Sequence, residues 1–339
     1  MMINTSDIFL QREKELLSKY AFLTSQTKGR DVPCAPCYNR TEFQRDRDRI
    51  IHSKSFRRLN HKTQVFLLPI EEHYRNRMTH TLEVTQIARI IARALRLNED
   101  LTEAAALGHD LGHTPFGHAG ELVMQKCFSA DFSHSDQSVR VVEFLENNGE
   151  GLNLTYEVRD AIRCHNGDRM ASTLEGVIVK YADRIAYINH DIDDAVRAGI
   201  LHPDEIPTEI TEVLGRGHSE RINRMVSSII YSSENLNSVQ MEPYVWDATC
   251  KLRDFLFEHV YKNPEAKGEE KKAKIMLEGL FDYYMRKPEK MPEFYLKIAE
   301  NEGQARAVCD FISGMTDRYA IDLFKKIYIP MSWKAEGND

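Results

Sequence analysis

The chain has 339 residues, 42% hydrophobic and 29% charged, a globular composition long enough for one large core or two modest ones, which disfavours disorder. Its formal charge of −7 argues against a surface that coats nucleic acid generally. No apolar run approaches the roughly 20 residues needed to span a bilayer, so no membrane contact is expected.

The start, "MMINTSDIFLQREKELLSKY", is amphipathic and charged rather than a signal-peptide core, so a cytoplasmic chain is expected, opening with a helix and loop over residues 1–40. Cys34 and Cys37 form one CxxC, "CAPC", with no second ligand pair nearby, so loop thiols are expected rather than a zinc clip. Residues 40–62, "RTEFQRDRDRIIHSKSFRRLNHK", hold eight Lys/Arg against three Asp/Glu. They are a candidate anion site or a solvated helix laced by Arg–Asp pairs. "TQVFLL", residues 63–68, closed by Pro69, is the one good strand candidate.

Helical periodicity dominates the rest. In residues 78–97, Leu82, Ile87, Ile90, Ile91, Ala94 and Leu95 recur at three- and four-residue steps, which predicts an amphipathic helix. Similar patterns cover about 100–111, 136–147, 155–164, 173–198, 241–261, 269–286 and 304–327. The expected class is therefore all-α with at most one short hairpin. Breaks at residues 29–36, 147–153, 202–207 and 262–274 contain no long linker, and no repeat is visible. One helical core over 41–235 with a C-terminal helical region, 236–339, packed on it is the expected organisation.

The densest chemistry lies in "AALGHDLGHTPFGHAGE", residues 105–121, where His109, Asp110, His113, His118 and Glu121 sit in an apolar, glycine-punctuated run. Each must be paired or desolvated if buried, so a site is suspected. Pro115 disfavours helical geometry at Thr114, which puts His109 and Asp110 near a helix C-terminus, about 100° apart around its axis. Both can reach a cation lying between them, and further ligands must come from elsewhere. His80, on the 78–97 helix, and Asp183, in "KYADRIAYINHDIDDAV", offer them. Together they would make a mixed N/O set suited to Mn, Fe, Co, Ni or Zn, with positions open for water or substrate. A lone His on an apolar face is more often a core histidine, and that reading stays open for His80.

The order His80, His109–Asp110, Asp183 resembles the metal-binding set of the HD-domain phosphohydrolases. "TEFQRDRDRIIHSKSFRRLNHKTQVF", "HYRNRMTHTLEVTQIARIIARAL", "EAAALGHDLGHTPFGHAGE" and "FISGMTDRYAIDLF" resemble their deoxyguanosine triphosphate triphosphohydrolase (dGTPase-like) branch, over about residues 29–328. The resemblance implies an HD-type helical fold that brings the four ligands onto one divalent metal. It also implies hydrolysis of a dNTP at the α-phosphorus, releasing deoxynucleoside and inorganic triphosphate.

The 5′-alkoxide is a poor leaving group and needs a proton. The resemblance implies His118 as general acid with Glu121 behind it, the reverse role of water activation staying open. It places His113 and His134 along the phosphates, although "FSHSDQS" departs from the family's usual Asn after that His. Arg77 and Arg184 match candidate phosphate ligands, and Arg57 and Arg58 are further candidates or surface charges. Tyr187 and Asp191, four and eight residues past Asp183, would take the deoxyribose ring and its 3′-hydroxyl, with Gln64 near the base and sugar edge. Mg²⁺ is expected to arrive on the substrate phosphates. His165 and His190 are spare, and a second transition metal on them is the lesser expectation. A homo-oligomer is expected, with single-stranded nucleic acid as a weaker candidate partner of the basic segment. Three rival readings are another HD phosphohydrolase acting on cyclic nucleotides or alarmones, a zinc peptidase built on the His109-x-x-x-His113 spacing, and a nucleotide-sensing or single-stranded nucleic-acid-binding protein that kept the pocket and lost turnover.

Overall fold

Several helix starts in this chain are marked by side chains that accept an amide N–H, each worth about 1 kcal/mol. The computed structural model describes residues 5–64, 74–235 and 237–330. The N-terminal helix α1 (Thr5–Leu16) leads to α2 (Glu42–Ile51), capped by Thr41, and the short α3 (Lys54–Arg58), capped by Ser53. Asn76 caps α4 (Arg77–Ala94) and Asn98 caps α5 (Glu99–Gly108). Then come α6 (His118–Cys127), α7 (His134–Arg140, capped by Ser133), α8 (Tyr156–Cys164) and the long α9 (Leu174–Arg197), capped by Thr173. The chain continues through α10 (Thr208–Leu214), α11 (His218–Ser233), α12 (Pro243–Leu256), α13 (Pro264–Arg286), α14 (Glu293–Glu302), α15 (Gln304–Ser313) and α16 (Asp317–Tyr328).

The fold is all-α: the one β feature among the described residues is an isolated antiparallel bridge between Thr63 and Asn76. The strand expected over 63–68 therefore survives as that bridge at Thr63, and residues 65–68 lie outside the described residues. No helix among the described residues is long and apolar enough to cross a membrane.

Three apolar clusters fix the architecture. Helix α9 is the spine of the largest, with Ile178, Ile185 and Ile188 packed against Val84, Ile87 and Ile91 of α4 and against α11 and α12. A second joins α2, α3, α5, α7 and α8 around Phe43, Ile50, Leu101 and Ile162. The third belongs to α6 and α13–α16 and contains Phe116, Met124, Leu277 and Ile312. The C-terminal helices thus share a core with the helix that begins at His118.

Three expected helices differ in detail. The 304–327 pattern is two helices, because Gly314 ends α15 and extended Thr316 caps α16 by accepting the Tyr319 amide. The 136–147 and 241–261 patterns each finish in a π-turn, Val141–Leu145 and Phe257–Tyr261. In the basic segment, Arg40 pairs with Asp48 at 2.7 Å, Arg45 with Glu42 at 2.8 Å and Arg47 with Asp48 at 3.0 Å. The two CxxC thiols are free.

One buried carboxyl fastens the N-terminal segment. Glu175, in the first turn of α9, accepts the amides of Phe22 at 2.9 Å and Asn98 at 3.0 Å, while its Oε2 is buried without a partner. Burial outweighs the two amides and pushes its pKa up to about 7 from the ordinary 4.5. Between those values the folded chain holds a proton that the unfolded chain has released, so this group's contribution to stability falls as pH rises from 4.5 to 7. Glu175→Gln keeps an acceptor for the amides and removes the buried charge. Urea unfolding at pH 8 is expected to show the variant about 1–3 kcal/mol more stable than the parent, with the difference vanishing towards pH 4.5. Equal parent–variant differences at both ends would contradict this.

Candidate metal centre and active site

Three helices converge on one point. His80 lies one turn into α4, His109 is the C-cap of α5 with Asp110 beside it, and Asp183 sits midway along α9. His80 Nε2 is 3.1 Å from Asp183 Oδ1; His109 Nε2 is 3.6 Å from Asp110 Oδ2 and 3.9 Å from Asp183 Oδ1. One donor atom each from His80, His109 and Asp110 lies within 4.8 Å of the others.

The tautomer of His109 tests whether a cation fits. Its Nδ1 lies 2.6 Å from the Ala106 carbonyl, which only an N–H can approach as a donor. In the neutral ring Nε2 then carries the lone pair, and it is buried without a partner, 3.6 Å from Asp110 Oδ2 and 3.9 Å from Asp183 Oδ1. A divalent cation would supply that partner, and a backbone-anchored ring is the usual outer-shell arrangement of a ligating histidine. Electrostatics agree. Burial alone would raise Asp110, but the Arg77 guanidinium at 2.6 Å and the surrounding imidazoles hold it well below the ordinary carboxylate range. Asp183 is raised by desolvation yet brought down to about 2 by the His80 hydrogen bond and neighbouring rings. Both carboxylates are charged at neutral pH.

The loop after Asp110 is possible because of two glycines. A Cβ on Gly112 would overlap the Ser138 backbone, and Gly117 adopts φ +56° and ψ −131°, a region essentially closed to side chains. This sends His113 and His118 to one wall of a cavity of about 810 Å³, whose lining includes His80, Asp110 and Asp183. Glu121 sits between two histidines: its carboxylate is 3.0 Å from His134 Nδ1 and 3.5 Å from His118 Nδ1, and it accepts the His134 amide at 2.9 Å. Burial would raise Glu121, but those hydrogen bonds hold it far below its ordinary value; burial would lower His134, but Glu121 raises it. Glu121 and His134 thus each favour the other's charged form. His113 stacks on His134 with centroids 4.6 Å apart, and burial beside Arg77 and His134 keeps it neutral. His118, with its side chain 82% exposed, faces the open cavity.

Gln64, Tyr187 and Asp191 line the same cavity, Gln64 with its backbone carbonyl beside Gly117. Asp191 accepts the Tyr261 hydroxyl on one oxygen, leaves Oδ1 buried without a partner, and is pushed up to about 7 by burial. Tyr187 is likewise pushed up to about 12 by burial.

Two groups from the sequence are not brought to the cavity wall. Arg184, one step round the helix from Asp183, places its guanidinium 4.8 Å from the Trp246 ring centroid and is not among the lining residues. Arg57 bonds the His52 carbonyl and lines a separate basic cleft. His113 lies beyond the end of α5, so His109 and His113 share no helix face and the peptidase spacing is not realised. Sequence reasoning missed Arg253, Phe257 and Tyr261, which the C-terminal region contributes to the wall. It also left His165 spare, though that Nε2 is 3.2 Å from His134 Nε2 and its ring 5.0 Å from His109. The sign was present: His165 caps α8 and bonds the Ile162 carbonyl through Nδ1, the same construction as His109 on Ala106.

Comparison with known proteins decides the family. The HD domain matches residues 77–188 and a phosphohydrolase-associated domain residues 239–326. A deoxyguanosinetriphosphate triphosphohydrolase-like protein of Caldanaerobacter subterraneus subsp. tengcongensis is 54% identical over 96% of this chain and 96% of its own length. The chain belongs to the deoxyguanosinetriphosphate triphosphohydrolase-like family. A like-named protein of Clostridium perfringens is 48% identical over 94% of this chain and 96% of its own. A phosphohydrolase of Bacteroides thetaiotaomicron shares the fold, with a TM-score of 0.52 at 19% identity over 82% of this chain and 67% of that one. This dGTPase-like chain is thus an HD-domain phosphohydrolase whose converging histidines and aspartates suit a divalent metal. The HD match contains His80, His109, Asp110 and Asp183, and the second domain supplies Tyr261.

Proposed function

We propose that the protein hydrolyses deoxynucleoside triphosphates at the α-phosphorus, giving deoxynucleoside and inorganic triphosphate, with a divalent metal held by His80, His109, Asp110 and Asp183. What supports this reading is one cavity lined by His80, Asp110 and Asp183, by the linked His118, Glu121 and His134, and by Tyr187, Asp191 and Gln64. When bound, the metal supplies Lewis-acid polarisation of the phosphoryl oxygen and an activated water.

The chain's own groups do the rest. Water oxygen bonds to the α-phosphorus and gives up a proton to solvent as the P–O5′ bond breaks, and His118 delivers a proton to the departing 5′-oxygen, Glu121 orienting the ring. Buried Arg77 and neutral His113 face the phosphates. Tyr187 packs on the deoxyribose, where a 2′-hydroxyl would crowd it, and the free Asp191 Oδ1 accepts from the 3′-hydroxyl. A homo-oligomer and Mg²⁺ carried on the substrate phosphates complete the reading.

The test is incubation with Mn²⁺ or Mg²⁺ and each of the four dNTPs, alone and mixed, with products identified by mass. Deoxynucleoside plus triphosphate is expected. Pyrophosphate or single phosphate as the product would assign another HD phosphohydrolase reaction, and turnover only in the mixture would add a nucleotide effector.

A further inference from the structure

The phrase "GMTDRY", residues 314–319, lies outside the cavity, yet it touches the turn that builds one wall. We propose that Asp317 is a positioning residue which, with Lys62, ties the corner between α15 and α16 to the turn that carries His118.

Asp317 opens α16 and is buried. Its Oδ1 accepts the Phe116 amide at 2.9 Å; its Oδ2 accepts the Thr63 amide at 2.8 Å and the Thr63 hydroxyl. A carboxylate in the first turn of a helix is also favoured by the helix dipole. The two amides belong to two different segments of the cavity wall. Thr63 immediately precedes Gln64, and Phe116 lies two residues before His118. Lys62 makes a parallel tie, its buried ammonium donating to the Ser313 carbonyl at 2.9 Å and to the His113 carbonyl. Both ends of the 113–118 turn are thus fastened to residues 313–317.

The turn needs fastening. Phe116 has φ +60° and Gly117 φ +56°, consecutive left-handed residues of which the first has a bulky side chain. Such backbone persists only where its surroundings over-determine it. His118 begins α6 directly after it, so any relaxation of Phe116 and Gly117 moves the imidazole relative to the leaving oxygen. A misplacement of about 1 Å can cost on the order of 10²-fold in rate. The C-terminal region therefore does more than complete the core: through one carboxylate it sets where the proton donor stands.

The kinetic part rests on the dNTP reading above; the structural part does not. Asp317→Asn is isosteric, and in either amide orientation one of the two backbone N–H groups faces an NH₂ instead of an acceptor. Hydrogen–deuterium exchange over residues 113–121 is expected to accelerate, with α4 and α9 unchanged. On dNTP, kcat is expected to fall about 10-fold or more with KM within about threefold, a loss tied to misplaced chemistry rather than weaker binding. Added to His118→Ala, the substitution is expected to cost nothing further, the non-additivity of two residues acting through one group. Lys62→Met removes the second tie and is read in the same way should Asp317→Asn not fold.

Unchanged exchange across 113–121 overturns the tie. Faster exchange with a parental kcat, or losses that multiply in the double variant, overturns the positioning role. A parent protein that hydrolyses no dNTP sinks the proposed function alone, because the exchange measurement needs no turnover and still decides the tie.

Discussion

Asp183→Asn is expected to lose bound divalent metal and with it dNTP hydrolysis, by about 10³-fold or more, since the several kcal/mol of charge stabilisation a metal provides is withdrawn. Asp183 is the cleanest of the four ligands to test. Removing Asp110 instead would strand the buried Arg77 guanidinium, 2.6 Å from its carboxylate, and a stranded buried charge costs about 3–5 kcal/mol of stability. Activity would then be lost with the fold. Among the described residues Asp183 pairs with no arginine; its neighbours are the imidazoles of His80 and His109. Metal content by mass spectrometry and thermal unfolding, read beside turnover, separate the two causes. His80→Ala is expected to behave alike. A variant that keeps its metal and its rate would remove the basis of the site. Dialysis of the parent against a chelator should reproduce the loss, and added Mn²⁺ should reverse it.

The fold was legible wherever an apolar stripe and a capping side chain agreed. Helix α4 reads from its stripe and from Asn76, and α9 from Thr173 and a run of isoleucines. Periodicity alone misled at 304–327, where the stripe continues across a break and only the Gly314–Thr316 stop-and-cap pattern marks two helices. A period is a property of one face, and two helices packed on the same core can keep it in phase.

The site was legible to the extent that its residues lie in dense local phrases. His109, Asp110, His113, His118 and Glu121 share one turn, and the resemblance brought His80, Asp183, Tyr187 and Asp191 to it from other helices. Arg253, Phe257 and Tyr261 escaped because their approach depends on how the C-terminal helices dock, a long-range fact with no local signature. Arg184 lies over Trp246 for a related reason. Adjacency to a ligand in sequence means about 100° of rotation on a helix, enough to turn its guanidinium onto Trp246 instead of into the cavity. Glu121 was expected to serve His118; the structure gives it a shorter contact with His134, so one carboxylate holds two imidazoles.

That double engagement shapes the second large effect. His118→Ala is expected to lower kcat on dNTP by roughly 10²–10⁴-fold, the usual range for a positioned general acid. Because His118 is exposed on the cavity wall and Glu121 keeps its bond to His134, the variant should fold as the parent does. Glu121→Gln is expected to be worse in a different way. It removes the charge that raises His134 against its burial and weakens the bond between them, so stability declines with activity. Acid and base roles for His118 are separated by the leaving group. A phosphodiester that expels p-nitrophenolate needs no proton at the departing oxygen, whereas the 5′-alkoxide of a deoxynucleoside does. If His118 is the acid, His118→Ala turns over the aryl ester at close to the parental rate while failing on dNTP. If it activates water, attack is slowed on both substrates alike.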